Sequence, residues 1–269
     1  MRRETVTTLS AHWRAAGIER GDVVLLHSSS KRTLATHQIS PAELLESFLD
    51  ATGPLGTLLI PTFNFGWCRG EPFNVRTTPS EMGVLSETAR RCGMRGDPHP
   101  VYSFSALGSI GKDFAAPTNW SGYGPGSPFD ILRKIDGKIA ILDLPDQNSM
   151  TFYHHVEEMI AEYSDLPHAV WFSKQYPSHR FYKNFDGRYT GYDGRECERT
   201  FALYVRRDGV ETFVDPMGDL LWAAGHYRGD RPHVGAGLRT IRARAVWNET
   251  AAVIRAGKAE GMLWRRATQ

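Results

Sequence analysis

Cysteine is scarce in this sequence. Cys68, Cys92 and Cys197 are the only three in 269 residues. They are widely spaced and form no C-x-x-C pair, which argues against a disulfide framework or a cysteine zinc site and fits a reducing cytoplasm. Long apolar runs are missing too: none approaches the ~20 residues of a membrane-crossing helix. The polar start Met1-Arg2-Arg3-Glu4-Thr5 lacks the apolar stretch of a secretory leader. Nor is there an excess of one charge. Lys and Arg total 32 against 30 Asp and Glu, a net +2, which is no footprint for a polyanion. G-x-G-x-x-G, G-x-x-x-x-G-K-[ST] and G-x-S-x-G do not occur, so dinucleotide, P-loop and nucleophile-elbow hydrolase readings lack support. The expectation is a cytoplasmic protein with neither nucleic-acid nor membrane partners.

What is present is strand–helix alternation. Asp22–His27, Gly56–Thr62, Lys138–Leu144 and Phe201–Val205 are short continuous apolar runs that suit strands covered on both faces. Ser103–Gly108 is a weaker, alternating candidate. Ser40-Pro41-Ala42-Glu43 and Thr78-Pro79-Ser80-Glu81 each place a hydroxyl, a proline and a glutamate where a capping box starts a helix. Ser127-Pro128-Phe129-Asp130 is a looser case, and further helices are expected from Thr151 to about Tyr163 and from Arg239 to about Lys258. The pattern predicts an α/β layered fold, with 1–269 as one catalytic domain. Residues 166–198, rich in aromatics and histidine, are too aromatic for a disordered linker. They read as an ordered excursion or lid.

Several segments could carry chemistry. Thr151-Phe152-Tyr153-His154-His155-Val156-Glu157 has the pattern T-x-x-H-x-x-E. With Thr151 as cap, His154 lies in the first helical turn and shares a face with Glu157. The positive helix end keeps an imidazole there neutral, as a general base must be. Read alone, the segment also fits an ordinary surface turn. A metal pair is disfavoured, because adjacent His154 and His155 point about 100° apart on a helix. His27-Ser28-Ser29-Ser30 follows a strand, where parallel sheets bind ligands, although a plain hydroxyl turn fits equally. Arg95-Gly96-Asp97-Pro98-His99-Pro100 is a restricted loop. The glycine-rich run Gly122–Pro128 opens a helix whose N–H groups could meet an anion. Phe63-Asn64-Phe65-Gly66-Trp67-Cys68 could wall a sugar or plug the core.

Six segments in order resemble the aminoglycoside 3-N-acetyltransferase family, whose antibiotic N-acetyltransferase fold is unrelated to the GNAT superfamily. They are Leu25–Ser29, Gly56–Thr62, Arg76–Gly83, His99-Pro100 before Ser103-Phe104, Gly126–Pro128 and Thr151–Glu157. The resemblance covers residues 5–160 well and the rest loosely. It implies a central mixed β-sheet flanked by helices and acyl transfer from acetyl-CoA, or a related acyl-CoA, to an amine, with no metal. It implies His154 as base, steadied by Glu157 or by Asp186, with a backbone N–H near Ser28 or Ser29 holding the oxyanion. His27, Ser28, Ser29, Ser30, Thr62, Thr78, Ser80, Met82, His99, Ser103 and Phe104 would lie on the acyl-CoA side. Phe63, Asn64, Phe65, Trp67, Arg69, Arg76, Tyr182 and Asp186 would meet the acceptor. A homodimer is the assembly carried forward.

The acceptor loops depart from the antibiotic-resistance pattern. Loops 63–75 and 166–198, with Arg76 just after the first, carry Arg69, Lys174, Arg180, Lys183 and Arg188 beside few acids, and arginine pairs well with phosphate. Phe63-Asn64-Phe65 with a following cysteine also resembles relatives of surface-polysaccharide sugar synthesis. The leading expected acceptor is therefore a nucleotide-linked 3-amino-deoxysugar. An aminoglycoside is the alternative, and a non-catalytic protein that binds CoA or a sugar nucleotide is a second one.

Overall fold

The computed structural model describes residues 2–96, 98–115, 119–163, 179–231 and 237–267. The chain opens with α1 (Arg2–Ala15), β1 (Val23–Ser28), α2 (Lys31–His37), α3 (Pro41–Thr52) and β2 (Thr57–Pro61). It continues with β3 (Phe73–Asn74), α4 (Val84–Cys92), β4 (Phe104–Gly108), α5 (Gly111–Ala115), α6 (Pro128–Lys134), β5 (Lys138–Leu142) and α7 (Phe152–Tyr163). The last third holds β6 (Arg180–Thr190), β7 (Glu196–Arg206), β8 (Val210–Thr212), α8 (Asp215–Ala223), β9 (Arg228–Gly229), β10 (Leu238–Arg242), α9 (Ala243–Arg255) and β11 (Trp264–Arg266).

The main sheet has the order β4-β2-β1-β5-β10-β9. β1 runs parallel to β2 and β5, while β4 and β10 flank them antiparallel. This is the mixed α/β sheet expected from the sequence. Strand side chains alternate between faces, and both faces are covered. Leu25, Leu59, Ile139 and Ile141 point to a core shared with Phe129, Phe152, Val156, Met217 and Val246 of the later helices. Val24, Leu26, Leu58, Ile60, Ala140 and Leu142 point the other way, against Leu9 and Trp13 of α1 and Leu44 and Phe48 of α3. The continuous apolar runs thus reflect a sheet buried on both sides.

A separate sheet, β3-β6-β7, stands outside this frame. β6 and β7 form an antiparallel ladder from Arg180↔Arg206 to Thr190↔Glu196, and β3 joins β6 in parallel. Trp67, Phe73, Tyr189, Phe201 and Leu203 pack beneath it. The Phe201–Val205 run is therefore a strand, but of this sheet. Of the aromatic stretch 166–198, the part up to 178 lies outside the described residues. The remainder is this hairpin.

Ser40 caps α3 with both halves of the expected box, and Ser127 caps α6. The box expected at Thr78–Glu81 does not form. Thr78 Oγ1 instead accepts the N–H of Asn74, Glu81 bonds Arg69 and the N–H of Phe65, and the helix starts later, with Gly83 as its cap. The expected helix start at Arg239 is also corrected. Leu238–Arg242 pairs with β5 as β10, and the helix begins at Ala243.

Candidate active site

β1 has β2 on one side and β5, much later in the chain, on the other. The connection from β1 leads to β2, whereas the chain after β5 re-enters this sheet on the other side as β9 and β10, which opens a crevice at the carboxyl ends of β1 and β5. A cavity of about 1050 Å³ occupies that place. His27, Ser28, Ser29 and Ser30 line one wall, Met82, Gly83 and Val84 another, and Asn148, Ser149 and Thr151 a third. Phe63, Phe65, Tyr102 and Tyr123 complete it. Thr151 Oγ1 lies 3.3 Å from His27 Nε2 and so joins the end of β1 to the start of α7. The N–H of Ser29 is bonded to Leu142 O at 2.9 Å, so it is not the free oxyanion donor the sequence suggested.

A row of rings leads from the cavity to His154. Phe63 and Phe65 meet Tyr102 edge-on, Tyr102 lies 4.4 Å from Tyr123, and Tyr123 lies 5.3 Å from the His154 ring. A side chain at Gly122 would strike the Tyr102 ring, which accounts for glycine there. Burial raises the Tyr102 and Tyr123 phenols above their ordinary value, so both stay neutral and polar only at the hydroxyl.

His154 is the third residue of α7. Its Nδ1 lies 2.9 Å from Glu157 Oε2, one helical turn on. The other Glu157 oxygen lies 2.9 Å from His179 Nε2. Arg180 pairs with the same carboxylate, its Nε 3.1 Å from Oε2. Burial alone would raise the Glu157 pKa, but the Arg180 charge and the bonds from His154 and His179 outweigh it and hold the group well below the usual range. An ionised carboxylate only accepts. A proton donated from Nδ1 to this carboxylate leaves the lone pair on Nε2, while Arg180 Nη2 lies 2.8 Å from the same Nδ1. Burial, then the Arg180 charge, lowers the His154 pKa to about 4 against the opposing pull of Glu157. The side chain retains 15% exposure, against 1% for Glu157. A neutral imidazole of this tautomer, oriented by a buried anion and partly accessible, can remove a proton from a bound amine.

The other sequence candidates are placed in several different surroundings. His27, Ser28, Ser29, Ser30, Met82, Phe63 and Phe65 line the cavity. Thr62, Thr78 and Ser103 gather instead around buried Arg95, which donates to Thr78 O and Ser103 Oγ, while Ser103 and Thr62 bond each other. Ser80 makes a local turn with the N–H of Met82, and Phe104 is core. Buried His99 accepts the N–H groups of Val101 and Tyr102, so it fixes the loop that carries Tyr102. Asn64 accepts the N–H of Gly66 and donates to Pro79 O. Trp67 is buried and donates to Phe185 O. Tyr182 donates to Glu158 Oε1 at 2.9 Å. Asp186 accepts from Thr200 on the exposed hairpin and makes no bond to His154. Glu157 occupies the supporting place for which Asp186 was the other candidate.

His179, Arg180, Tyr102 and Tyr123 complete the arrangement without having been singled out for it. The His179-Arg180 pair inside the aromatic stretch was the available signal. The basic loops also look different in three dimensions. Arg69 is paired with Glu71 and Glu81, Arg76 donates to Tyr192 O, and Arg188 faces Glu196. The cations that favoured an anionic acceptor are therefore largely engaged within the protein. Among the described residues no three His, Cys, Asp or Glu side chains converge as a metal site, and no helix is long and apolar enough to cross a membrane.

Comparisons with known proteins agree with this layout. The profile of the family described as aminoglycoside 3-N-acetyltransferase matches residues 25–210. A curated aminoglycoside N(3)-acetyltransferase IV from Salmonella sp is 29% identical over 158 residues, and the match covers 57% of each chain. Among solved structures, AAC-IIIb in its binary complex with CoASH superposes with a TM-score of 0.72 at 21% identity, covering 93% of this chain and 96% of the other. AAC-VIa bound to sisomicin gives 0.72 at 19% identity, covering 95% and 98%. At these identities the two structures establish a shared fold.

Proposed function

The chain belongs to the aminoglycoside 3-N-acetyltransferase family, and from that premise we propose that it transfers an acyl group, acetyl in the first instance, from acyl-CoA to an amine of an aminoglycoside. The observation that carries the reading is the 2.9 Å contact between His154 Nδ1 and buried, ionised Glu157 at the start of α7. The cavity beside it suits a pantetheine arm, with Ser28, Ser29 and Ser30 offering hydroxyls and Phe63, Phe65 and Met82 apolar walls.

In this scheme the acceptor nitrogen attacks the thioester carbonyl carbon. His154 Nε2 takes the proton that the nitrogen sheds, and Glu157 stabilises the resulting imidazolium. The C–S bond then breaks, and the departing CoA thiolate takes up the proton. General-base assistance of this kind contributes about 10²–10⁴-fold. The whole chain acts as one catalytic unit.

An aminoglycoside fits better than a nucleotide-linked aminosugar because Arg69, Arg76 and Arg188 already have partners, which leaves a phosphate less to bind. Competing acceptors test the choice. Kanamycin or gentamicin is set against a dTDP-linked 3-aminosugar, with acetyl-CoA as donor and thiol release as readout. The antibiotic should be acylated with the higher kcat/KM. A clear preference for the nucleotide sugar would restore the anionic acceptor.

A further inference from the structure

We propose that Arg180 is a positioning residue of this site: it fixes Glu157 as the anion that orients the His154 ring, and it opposes premature protonation of that ring. The proposal rests on the reading of His154 as the base. Arg180 begins β6, and its guanidinium meets three groups. Nη1 donates to Tyr204 O at 2.9 Å, Nε lies 3.1 Å from Glu157 Oε2, and Nη2 sits 2.8 Å from His154 Nδ1 and 3.4 Å from Nε2. The side chain is 6% exposed, so water screens these contacts little.

Two arrangements of protons compete here. If Nδ1 accepted from Arg180, the ring proton would lie on Nε2 and no lone pair would remain for the acceptor. If Nδ1 donates to Glu157, Nε2 is the base. An ionised carboxylate is a stronger acceptor than a ring nitrogen. Arg180 also keeps Glu157 and Tyr204 O as partners when it yields Nδ1. The second arrangement therefore wins, and Arg180 contributes by fixing Glu157 as an anion.

The charge has a second consequence. A histidine alone with a buried carboxylate becomes a stable imidazolium, because an opposite charge favours the protonated ring. Such a ring cannot accept a proton. Among the described residues, the groups facing His154 are Glu157 on its own helix, Arg180 and Arg206 from the hairpin, and Tyr123 from the loop before α6, with His179 acting through Glu157. Glu157 favours the charged ring, and the two arginines oppose it. Arg180 is the one in hydrogen-bond range.

The test uses the full-length enzyme labelled with ¹⁵N-histidine, and His154→Gln identifies the signal. In the wild type the neutral His154 ring should be protonated on Nδ1 and remain neutral from pH 8 to about pH 5.5. Removal of the charge in Arg180→Met should raise its titration midpoint by about one to two units. At pH 5, kcat should fall by about two- to tenfold relative to the wild type, with recovery at pH 8.5 and the KM for acetyl-CoA within about twofold. Arg180→Lys, which keeps the charge, should stay closer to the wild-type midpoint. An Nε2–H tautomer in the wild type, an observation that needs no variant to fold, would overturn the proposal. So would an unmoved midpoint in Arg180→Met, or a loss of kcat equal at both pH values. Normal turnover by His154→Gln would instead refute the base assignment itself.

Discussion

Glu157 meets His154, His179 and Arg180 at once, with 1% of its side chain exposed. Replacing it with glutamine keeps the shape and removes the anion. The buried Arg180 then loses its counter-charge, a change that costs about 3–5 kcal/mol in comparable buried pairs. Glu157→Gln should therefore lower Tm clearly and reduce kcat by at least about tenfold. Calorimetry and steady-state kinetics on one preparation check both, and a variant unchanged in stability would mean that the pair is not the anchor described. The i, i+3 spacing made the His154–Glu157 pair legible in the sequence, because a helix fixes which residues share a face. His179 and Arg180 were not, since they return from 22 and 23 residues later through a different sheet. Asp186 looked equivalent to Glu157 on paper. Its place near the middle of an exposed hairpin strand, paired with Thr200, is a tertiary fact.

Among the elements, the buried strands were the clearest, since a sheet covered on both faces demands unbroken apolar runs. β10 escaped notice. It reads Leu238-Arg239-Thr240-Ile241-Arg242, and its second residue, Arg239, is fully buried against Asp146, so an internal ion pair disguised it as surface helix. The two capping boxes make the complementary point. The same pattern stands at Ser40 and at Thr78, but only the first starts a helix, because Glu81 is drawn to Arg69 and the N–H of Phe65. Ser40→Ala should cost about 1 kcal/mol and leave kcat unchanged, measured by chemical denaturation and thiol release. Thr78→Ala should not weaken a helix start.

At the scale of the whole molecule, four histidines among the described residues are held neutral by burial. Burial lowers the pKa of His27, His99, His154 and His155 to about 4. In the unfolded chain each titrates near 6.5. Above pH 6.5 neither state binds these protons, and the rings add no pH dependence. As pH falls from 6.5 towards 4, the unfolded chain takes them up and the native fold does not, so stability is lost by ~1.4 kcal/mol per pH unit for each ring. Denaturation midpoints should be nearly level from pH 8 to 7 and drop steeply below 6.5. A level profile down to pH 5 would show that these rings are not held neutral.

The central claim is that His154 is the base that deprotonates the acceptor amine. The direct measurement is turnover of acetyl-CoA with an aminoglycoside by His154→Ala, followed as thiol release. kcat should fall at least about 100-fold, with the KM for acetyl-CoA little changed because the ring stands beside the cavity rather than in its wall. Turnover close to that of the wild type would contradict it.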